Sequence, residues 1–271
     1  MRHLLAATAL ALSTVIAAPA QAAPAVEPVG AQTFINGPAK AYLLADLDTG
    51  RVLAANDPYG SYAPASTIKV LLAMTVLDNL RPDNFARANA SHTKVECSCV
   101  GLTPGQPYTV AQLLSALLMV SGNDSANMLA DMLGGQRNAV AAMNRKAASV
   151  GARNTRASSP SGLDGPGWES VTTPHDLAVM FRAALRYPLI AQIMGSRSAG
   201  FPGRTLTNQN ELLSRYPGDL GGKTGFTNLA RKTYVGAAQR GDRRLVVVQM
   251  YGSGDLYGQA ISLLDWGFSQ P

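Results

Sequence analysis

From Ser66 to Leu80 the chain reads STIKVLLAMTVLDNL. With Ile68, Val70, Leu71, Leu72, Ala73, Met74, Val76 and Leu77, a helix here is apolar on nearly every side. Such a helix is buried on every side, so the fold must supply packed layers all around it. One charge interrupts the run: Lys69, one turn after Ser66. Serine is a common helix N-cap, and with Ser66 as a plain cap Lys69 would sit near the positive end of the helix dipole. That placement disfavours a cation by roughly 0.3–1 kcal/mol, and burial drives a lysine toward its neutral, basic form. A feature that opposes stability yet suits proton transfer is a candidate for chemistry. The spacing alone carries little weight, because Ser91-His92-Thr93-Lys94 repeats it in a polar stretch with no helix to organise it.

The rest of the chain supplies those layers. Residues 39–56 read as two strands around an Asp48-Thr49-Gly50 turn. An aspartic protease needs two D-T-G triplets, and this chain has one. A polar, glycine-bearing hairpin or loop is expected over 84–108, followed by helices at 109–120, 124–134 and 135–151, the last capped by Gly151. Residues 152–172 are loop-like. Thr173-Pro174 opens another helix, with proline at its first position and Asp176 in its first turn. The C-terminal part changes character: DLGGKTGF, ARKTYVGAAQ and RRLVVVQMYG are strand-like, and GDLYGQAISLLDWGF closes as a helix. An N-terminal hairpin and three C-terminal strands, with the helices between them, predict an α+β antiparallel sheet. Ile261, Leu263, Leu264 and Trp266 of the closing helix read as core residues rather than a membrane anchor.

Residues 1–22 have a basic start at Arg2, an apolar run from Leu4 to Ala18 and small residues around Ala20-Gln21-Ala22. These mark a secretory signal peptide cut near Ala22. Residues 23–38 are a Pro/Ala-rich leader, and 39–271 form the expected catalytic domain. No cysteine near the junction suggests a lipid anchor. The net charge of +6 falls by one with loss of Arg2. The basic residues are dispersed and not interleaved with aromatics, which argues against nucleic-acid binding. Two cysteines, Cys97 and Cys99, make a disulfide the default in an exported chain. With His92 they would give three zinc ligands but no fourth, so no metal is expected.

Two further triplets complete a pattern. Ser121-Gly122-Asn123 ends the helix at 109–120, and Lys223-Thr224-Gly225 opens the C-terminal strands. Each alone reads as a turn or a strand-edge bend. Together with Ser66 and Lys69 they fall in the order and on the elements of the S-x-x-K, S-D-N and K-T-G set of penicillin-binding proteins and serine β-lactamases. From about Ala39 to the C-terminus the sequence resembles the serine D-alanyl-D-alanine carboxypeptidases, the low-molecular-mass penicillin-binding proteins, and most nearly their actinobacterial members. DLDTGRVLAAN, ASTIK, TVAQLLSALLMVSGNDSANMLAD, MNRKAASVGARNT, SGLDG and GGKTGFTNLA carry that likeness.

The resemblance implies a penicillin-binding-protein/serine β-lactamase fold: a five-stranded antiparallel sheet flanked by helices, plus an all-helical region. It implies Ser66 as nucleophile, activated by Lys69, since an unassisted hydroxyl attacks poorly at neutral pH. Ser121 would pass a proton to the departing D-alanine, and Lys223 would hold the charge balance. The backbone N–H groups of Ser66 and Phe226 would form the oxyanion hole. Asn123 would orient substrate through its backbone amide, and Thr224, with Gly225 beside it, would bind the terminal carboxylate. The implied substrate is a peptidoglycan stem peptide ending in D-Ala-D-Ala, with β-lactams as acylating mimics. The implied setting is the cell envelope, the expected state a monomer, and no metal or organic cofactor is required.

Phe226 departs from the histidine or tyrosine that many relatives carry there, and the β-rich C-terminal domain of many relatives has no counterpart before Pro271. A class A β-lactamase would need a glutamate to activate the deacylating water. Glu169 is the one nearby candidate, and it lacks the E-x-x-L-N setting; Gly122 also stands where those enzymes usually have aspartate. A triad hydrolase is disfavoured by the absence of G-x-S-x-G, with only His92 and His175 left beyond the signal peptide. A non-catalytic peptidoglycan-binding relative is a third possibility.

Overall fold

The computed structural model describes residues 37–271, so the expected signal peptide and the leader up to residue 36 lie outside the described residues. Strands β1 (Ala39–Asp46) and β2 (Val52–Asn56) form the N-terminal hairpin, and a 3-10 turn (Ala65–Ile68) leads into α1 (Lys69–Asn79). Then follow β3 (Phe85–Arg87), α2 (Ala90–Thr93), β4 (Pro107–Thr109), α3 (Val110–Met119), α4 (Asn123–Met132) and α5 (Gln136–Val150). After a loop come α6 (Pro174–Ala184), α7 (Pro188–Gly195), β5 (Ser198–Phe201), β6 (Arg204–Thr207) and α8 (Leu212–Arg215). Strands β7 (Asp219–Thr227), β8 (Arg231–Arg240) and β9 (Arg243–Gly252) precede α9 (Leu256–Ser269).

The two hairpin strands and the last three strands join in one antiparallel sheet, ordered β2-β1-β9-β8-β7. Alternation along each strand assigns its two faces. Leu43 pairs with Val248, and both face the large helical core, as do Ala41, Ala45, Val246 and Met250. Leu44 pairs with Val247, and these face α9 with its Ala260, Leu263 and Leu264; Ile261 and Trp266 pack against the same cluster. The closing helix is therefore a core element, as its sequence predicts. On the other face α1 is buried from Lys69 to Val76 and contacts α3, α5 and α6, the all-round burial its composition demands.

Two details of this scaffold position the site. First, α1 is entered through a 3-10 turn, in which residues three apart eclipse. Ser66 and Lys69 are such a pair, so their side chains stack on one side of the turn. Second, β7 lies at the sheet edge, facing that turn.

The expected polar hairpin at 84–108 exists as β3 paired with β4. Its long excursion carries the one-turn helix α2, which the sequence reading lacks. Likewise α7, the β5–β6 hairpin and α8 were not anticipated; these elements run four to eight residues, too short for a clear period. The helix expected from Ser66 begins as a 3-10 turn and becomes α-helical only at Lys69. Three other ends carry clear caps: Thr109 shares a capping box with Gln112, Thr173 accepts from the Asp176 amide, and Gly151 ends α5 at φ 94°.

The loop at 152–172 is pinned by backbone bridges from Thr172 to Tyr62 and from Arg156 to Val171. At Gly162 it lies against the 3-10 turn with φ +83°, and a Cβ there would come 1.9 Å from the Ala65 carbonyl oxygen. Gly162→Ala combines a disfavoured φ with a backbone collision. It should cost about 2–4 kcal/mol, read as a lowered midpoint in urea denaturation; an unchanged midpoint would refute this account of the loop.

Candidate active site

Three backbone devices bring the motif residues together. The 3-10 turn stacks Ser66 over Lys69. The link between α3 and α4 turns sharply at Ser121, which holds φ 60°, and Ala65 just before Ser66 holds φ 48°. Non-glycine residues at positive φ cost of order 1–3 kcal/mol and cluster at functional sites. The third device is Gly225. A Cβ there would lie 2.8 Å from the Ser66 amide nitrogen and 2.5 Å from Thr233 Oγ1, so only glycine lets β7 come this close to the turn. Gly225 thus acts through the space it leaves.

At the centre sits the Lys69 amine, in a side chain with 0% exposure. Its Nζ lies 2.7 Å from Ser66 Oγ, 2.9 Å from the Ser121 carbonyl oxygen, 3.3 Å from Ser121 Oγ and 2.6 Å from Asn123 Oδ1. Lys223, 2% exposed, donates to Ser121 Oγ at 3.0 Å and to the Thr224 carbonyl at 2.7 Å. Ser121 is therefore bracketed by two buried amines. Desolvation drives the Lys69 amine well below the ordinary lysine range, helped by the Lys223 charge and opposed by the Asp124 carboxylate. Desolvation lowers Lys223 to about 7. Two ammonium groups this close in a dry site are unfavourable, so the pair carries less than its full charge at neutral pH.

Asn123 departs from the expected arrangement. Its backbone N–H, expected to orient substrate, donates instead to the Ser98 carbonyl at 2.6 Å, and its Nδ2 donates to the Glu96 carbonyl at 2.6 Å. Asn123 thus joins the lysine to the loop holding Cys97 and Cys99, which are disulfide-bonded to each other.

These groups open onto a cleft of about 700 Å³, lined by Ser66, Ser121, Asn123, Thr224, Gly225 and Phe226 from the expected set. Phe226 is 58% exposed at its mouth. Beyond it, Thr227 Oγ1 donates to Asp164 at 2.6 Å, tying the end of β7 to the 152–172 loop. Among the lining residues Lys232 is the one basic side chain, against the acids Glu96, Glu211 and Asp255. The sequence reading missed it, since only the β7–β8 register places Lys232 opposite Phe226.

The rival candidates lie elsewhere. Ser91 bonds Asn89, so the second S-x-x-K does not assemble. His92 serves as a cap to the Asn89 amide and meets Asp131, while His175 meets Asp176 and lies at a tilt against the Tyr59 ring. Glu169 accepts from the Gly167 amide and does not line the cleft.

With this geometry in place, comparison with known proteins is decisive. The family model described as D-alanyl-D-alanine carboxypeptidase, peptidase S11, matches residues 29–254. The chain belongs to that family. It is 54% identical over 253 residues to D-alanyl-D-alanine carboxypeptidase DacB2 of Mycobacterium tuberculosis, covering 90% of this chain and 87% of that one. The crystal structure of D-alanyl-D-alanine carboxypeptidase from Mycobacterium tuberculosis H37Rv is similar with a TM-score of 0.87 and 52% identity, over 91% of this chain and 97% of that chain. The ampicillin-bound form of penicillin-binding protein D2 from Listeria monocytogenes is similar with a TM-score of 0.79 and 27% identity, over 88% and 100%. The penicillin-binding-protein fold and the serine-peptidase class expected from the motifs are thus established for this member of family S11.

The buried amines give a stability test. Each has a folded-state pKa below the ordinary lysine value of 10.5, so between about 7 and 10.5 the unfolded chain binds more protons than the native one. The contribution of these two lysines to stability therefore rises with pH across that window. Lys69→Met keeps much of the side-chain bulk and removes one contributor. Its urea midpoint should climb less between pH 7 and pH 10 than the wild-type midpoint; parallel curves would contradict a neutralised Lys69.

Proposed function

We propose that the chain is an exported serine carboxypeptidase that removes the terminal D-alanine from peptidoglycan stem pentapeptides through a Ser66 acyl-enzyme. The observation that carries this reading is the Lys69 amine, fully buried and 2.7 Å from Ser66 Oγ. Its hydrogen bonds balance in the neutral form. The Ser121 carbonyl and Asn123 Oδ1 are acceptors only, and they take the two N–H groups of a neutral amine. The remaining lone pair is then free for the Ser66 hydroxyl proton. The Asn123 orientation is fixed independently, because its Nδ2 faces the Glu96 carbonyl.

In this mechanism Lys69 takes the Ser66 proton as Oγ attacks the carbonyl of the penultimate D-alanine. The oxyanion would be met by the N–H groups of Ser66 and Phe226, where losing a donor typically costs ~10²–10³ in rate. Ser121, held between Lys69 and Lys223, delivers its hydroxyl proton to the departing D-alanine nitrogen and regains one from the Lys69 ammonium, which returns to the neutral amine. Water then hydrolyses the ester. The terminal carboxylate is bound by Thr224, with Lys232 supplying the positive charge that the acidic rim lacks. A β-lactam carries the same carbonyl and carboxylate, and the ampicillin-bound relative supports acylation of Ser66 by this class. Residues 1–22 serve as the cleaved signal peptide, and residues 39–271 as the catalytic domain, working as a monomer in the cell envelope. Among the described residues no single helix is long and apolar enough to cross a membrane.

The test is intact mass over time with benzylpenicillin, beside D-alanine release from a peptide ending in D-Ala-D-Ala. One adduct on the Ser66 peptide, absent in Ser66→Ala, is expected; Lys69→Ala should slow its formation ~10²–10⁴-fold. No adduct with rapid loss of drug would indicate a β-lactamase, and no adduct with intact drug and no D-alanine a non-catalytic relative. Lys232→Gln should raise KM roughly three- to tenfold with kcat retained, the pattern of lost uniform binding. An unchanged KM would remove Lys232 from the carboxylate site.

A further inference from the structure

The Cys97–Cys99 disulfide closes a ring with one residue, Ser98, between the two cysteines, and their Cα atoms are 4.8 Å apart. Cross-links over so short a span remove little entropy from the unfolded chain, so global stabilisation is a poor account of this one. Its location offers a better one. Glu96, Cys97 and Ser98 line the cleft beside Ser66. The carbonyls flanking and inside the ring, those of Glu96 and Ser98, accept the side-chain and backbone N–H groups of Asn123. The far side of the loop is held by buried Asp124, whose carboxylate accepts the amides of Val100, Gly101 and Leu102. Ser98 Oγ adds a bond to the Val120 carbonyl. The loop is thus fastened at both ends onto the turn that carries Ser121 and Asn123.

We propose that the Cys97–Cys99 ring is a positioning element for the catalytic lysine. Resting on the acyl-enzyme reading above, it holds the Glu96 carbonyl where it fixes the Asn123 amide. The reason is one of hydrogen-bond polarity. With Nδ2 on Glu96, Oδ1 faces Lys69 and takes one of its N–H groups at 2.6 Å. Without that carbonyl the amide is free to rotate and present NH₂ to the lysine, donor against donor. The amine then turns its lone pair toward Asn123 rather than Ser66. An opened loop also admits water to Lys69, whose other charged neighbours are Lys223 on β7 and Asp124 on α4. Both stay in place, so reduced desolvation moves the amine back toward its ordinary range, and the acid limb of acylation moves to higher pH.

The experiment compares acylation of the full mature chain by benzylpenicillin, as rate against pH, in three states. These are the oxidised wild type, the wild type reduced with dithiothreitol, with free thiols counted by alkylation, and Cys97→Ser/Cys99→Ser. The expected result is tenfold or greater slowing in the reduced and double-variant proteins. The acid limb should shift upward while circular dichroism and the melting midpoint change little, and reoxidation should restore the rate. Equal rates and superimposable pH profiles on wild type and variant would overturn the clamp while leaving the peptidase reading intact. Slowing without a shifted acid limb would also overturn it, as a merely structural effect. If the double variant does not fold, the reduced wild type with native circular dichroism decides. No adduct on the oxidised wild type would sink the peptidase reading, and the clamp with it.

Discussion

One buried amine organises this molecule. Lys69 has no contact with water and four polar atoms within 3.3 Å. An isolated buried ammonium is too costly to keep, and the group sheds its proton unless it is paired. Its acceptors here are a carbonyl, an amide oxygen and two hydroxyls, with no carboxylate among them. Asp124, the carboxylate whose charge acts on Lys69, spends its oxygens on backbone amides of the neighbouring loop. The site is therefore polar enough to satisfy N–H groups and too poor in negative charge to hold a full cation. That combination makes a lysine basic at neutral pH, and much of the surrounding fold serves it.

The supporting structure is costly in its own terms. Ala65 and Ser121 sit at positive φ, and Gly162 and Gly225 are places where two backbones come too near for any side chain. These four positions come from four separate segments, and each tightens one approach to Ser66 or Lys69. The apolar surroundings of α1 offset that strain. Its buried stretch packs among four other helices, so the 3-10 entry with its two polar side chains is carried on a rigid base. A site built this way depends on packing far from the reacting atoms.

How far the sequence discloses this depends on the kind of interaction. The buried amine was legible because Lys69 interrupts an otherwise apolar helix. The strands were legible from their composition, and two helix ends from Thr173-Pro174 and Gly151. Side chains acting through their own chemistry leave a mark of this kind. Groups acting through the backbone do not: any residue has a carbonyl, so nothing in Glu96 or Ser98 announces their hold on Asn123. The expectation that the Asn123 amide faces substrate fails for this reason, since its N–H is taken by Ser98. Lys232 was hidden in another way. Its place in the cleft follows from the β7–β8 register, which composition does not specify. Short elements between 188 and 215 escaped because four to eight residues are too few to display a clear period.

Charge in the cleft bears on how a peptide and a β-lactam would be told apart from other ligands. Lys69 and Lys223 lie behind the surface and, partly deprotonated, add little field outside it. The rim is acidic at Glu96, Glu211 and Asp255, and Arg215 offsets two of these through contacts at 2.8 Å to Glu211 and 3.8 Å to Asp255. Under the proposed function an incoming carboxylate meets one lining cation, Lys232, whose amine donates to the Gly254 carbonyl at 3.0 Å and whose strand partner Phe226 is two residues from Thr224, a diagonal step. Diagonal neighbours of this kind lie about 7–8 Å apart, a span a lysine covers. Ser66 lines the same cleft as Thr224 and Lys232. Under that proposal, a peptide continuing past the terminal residue would have no carboxylate to offer Lys232.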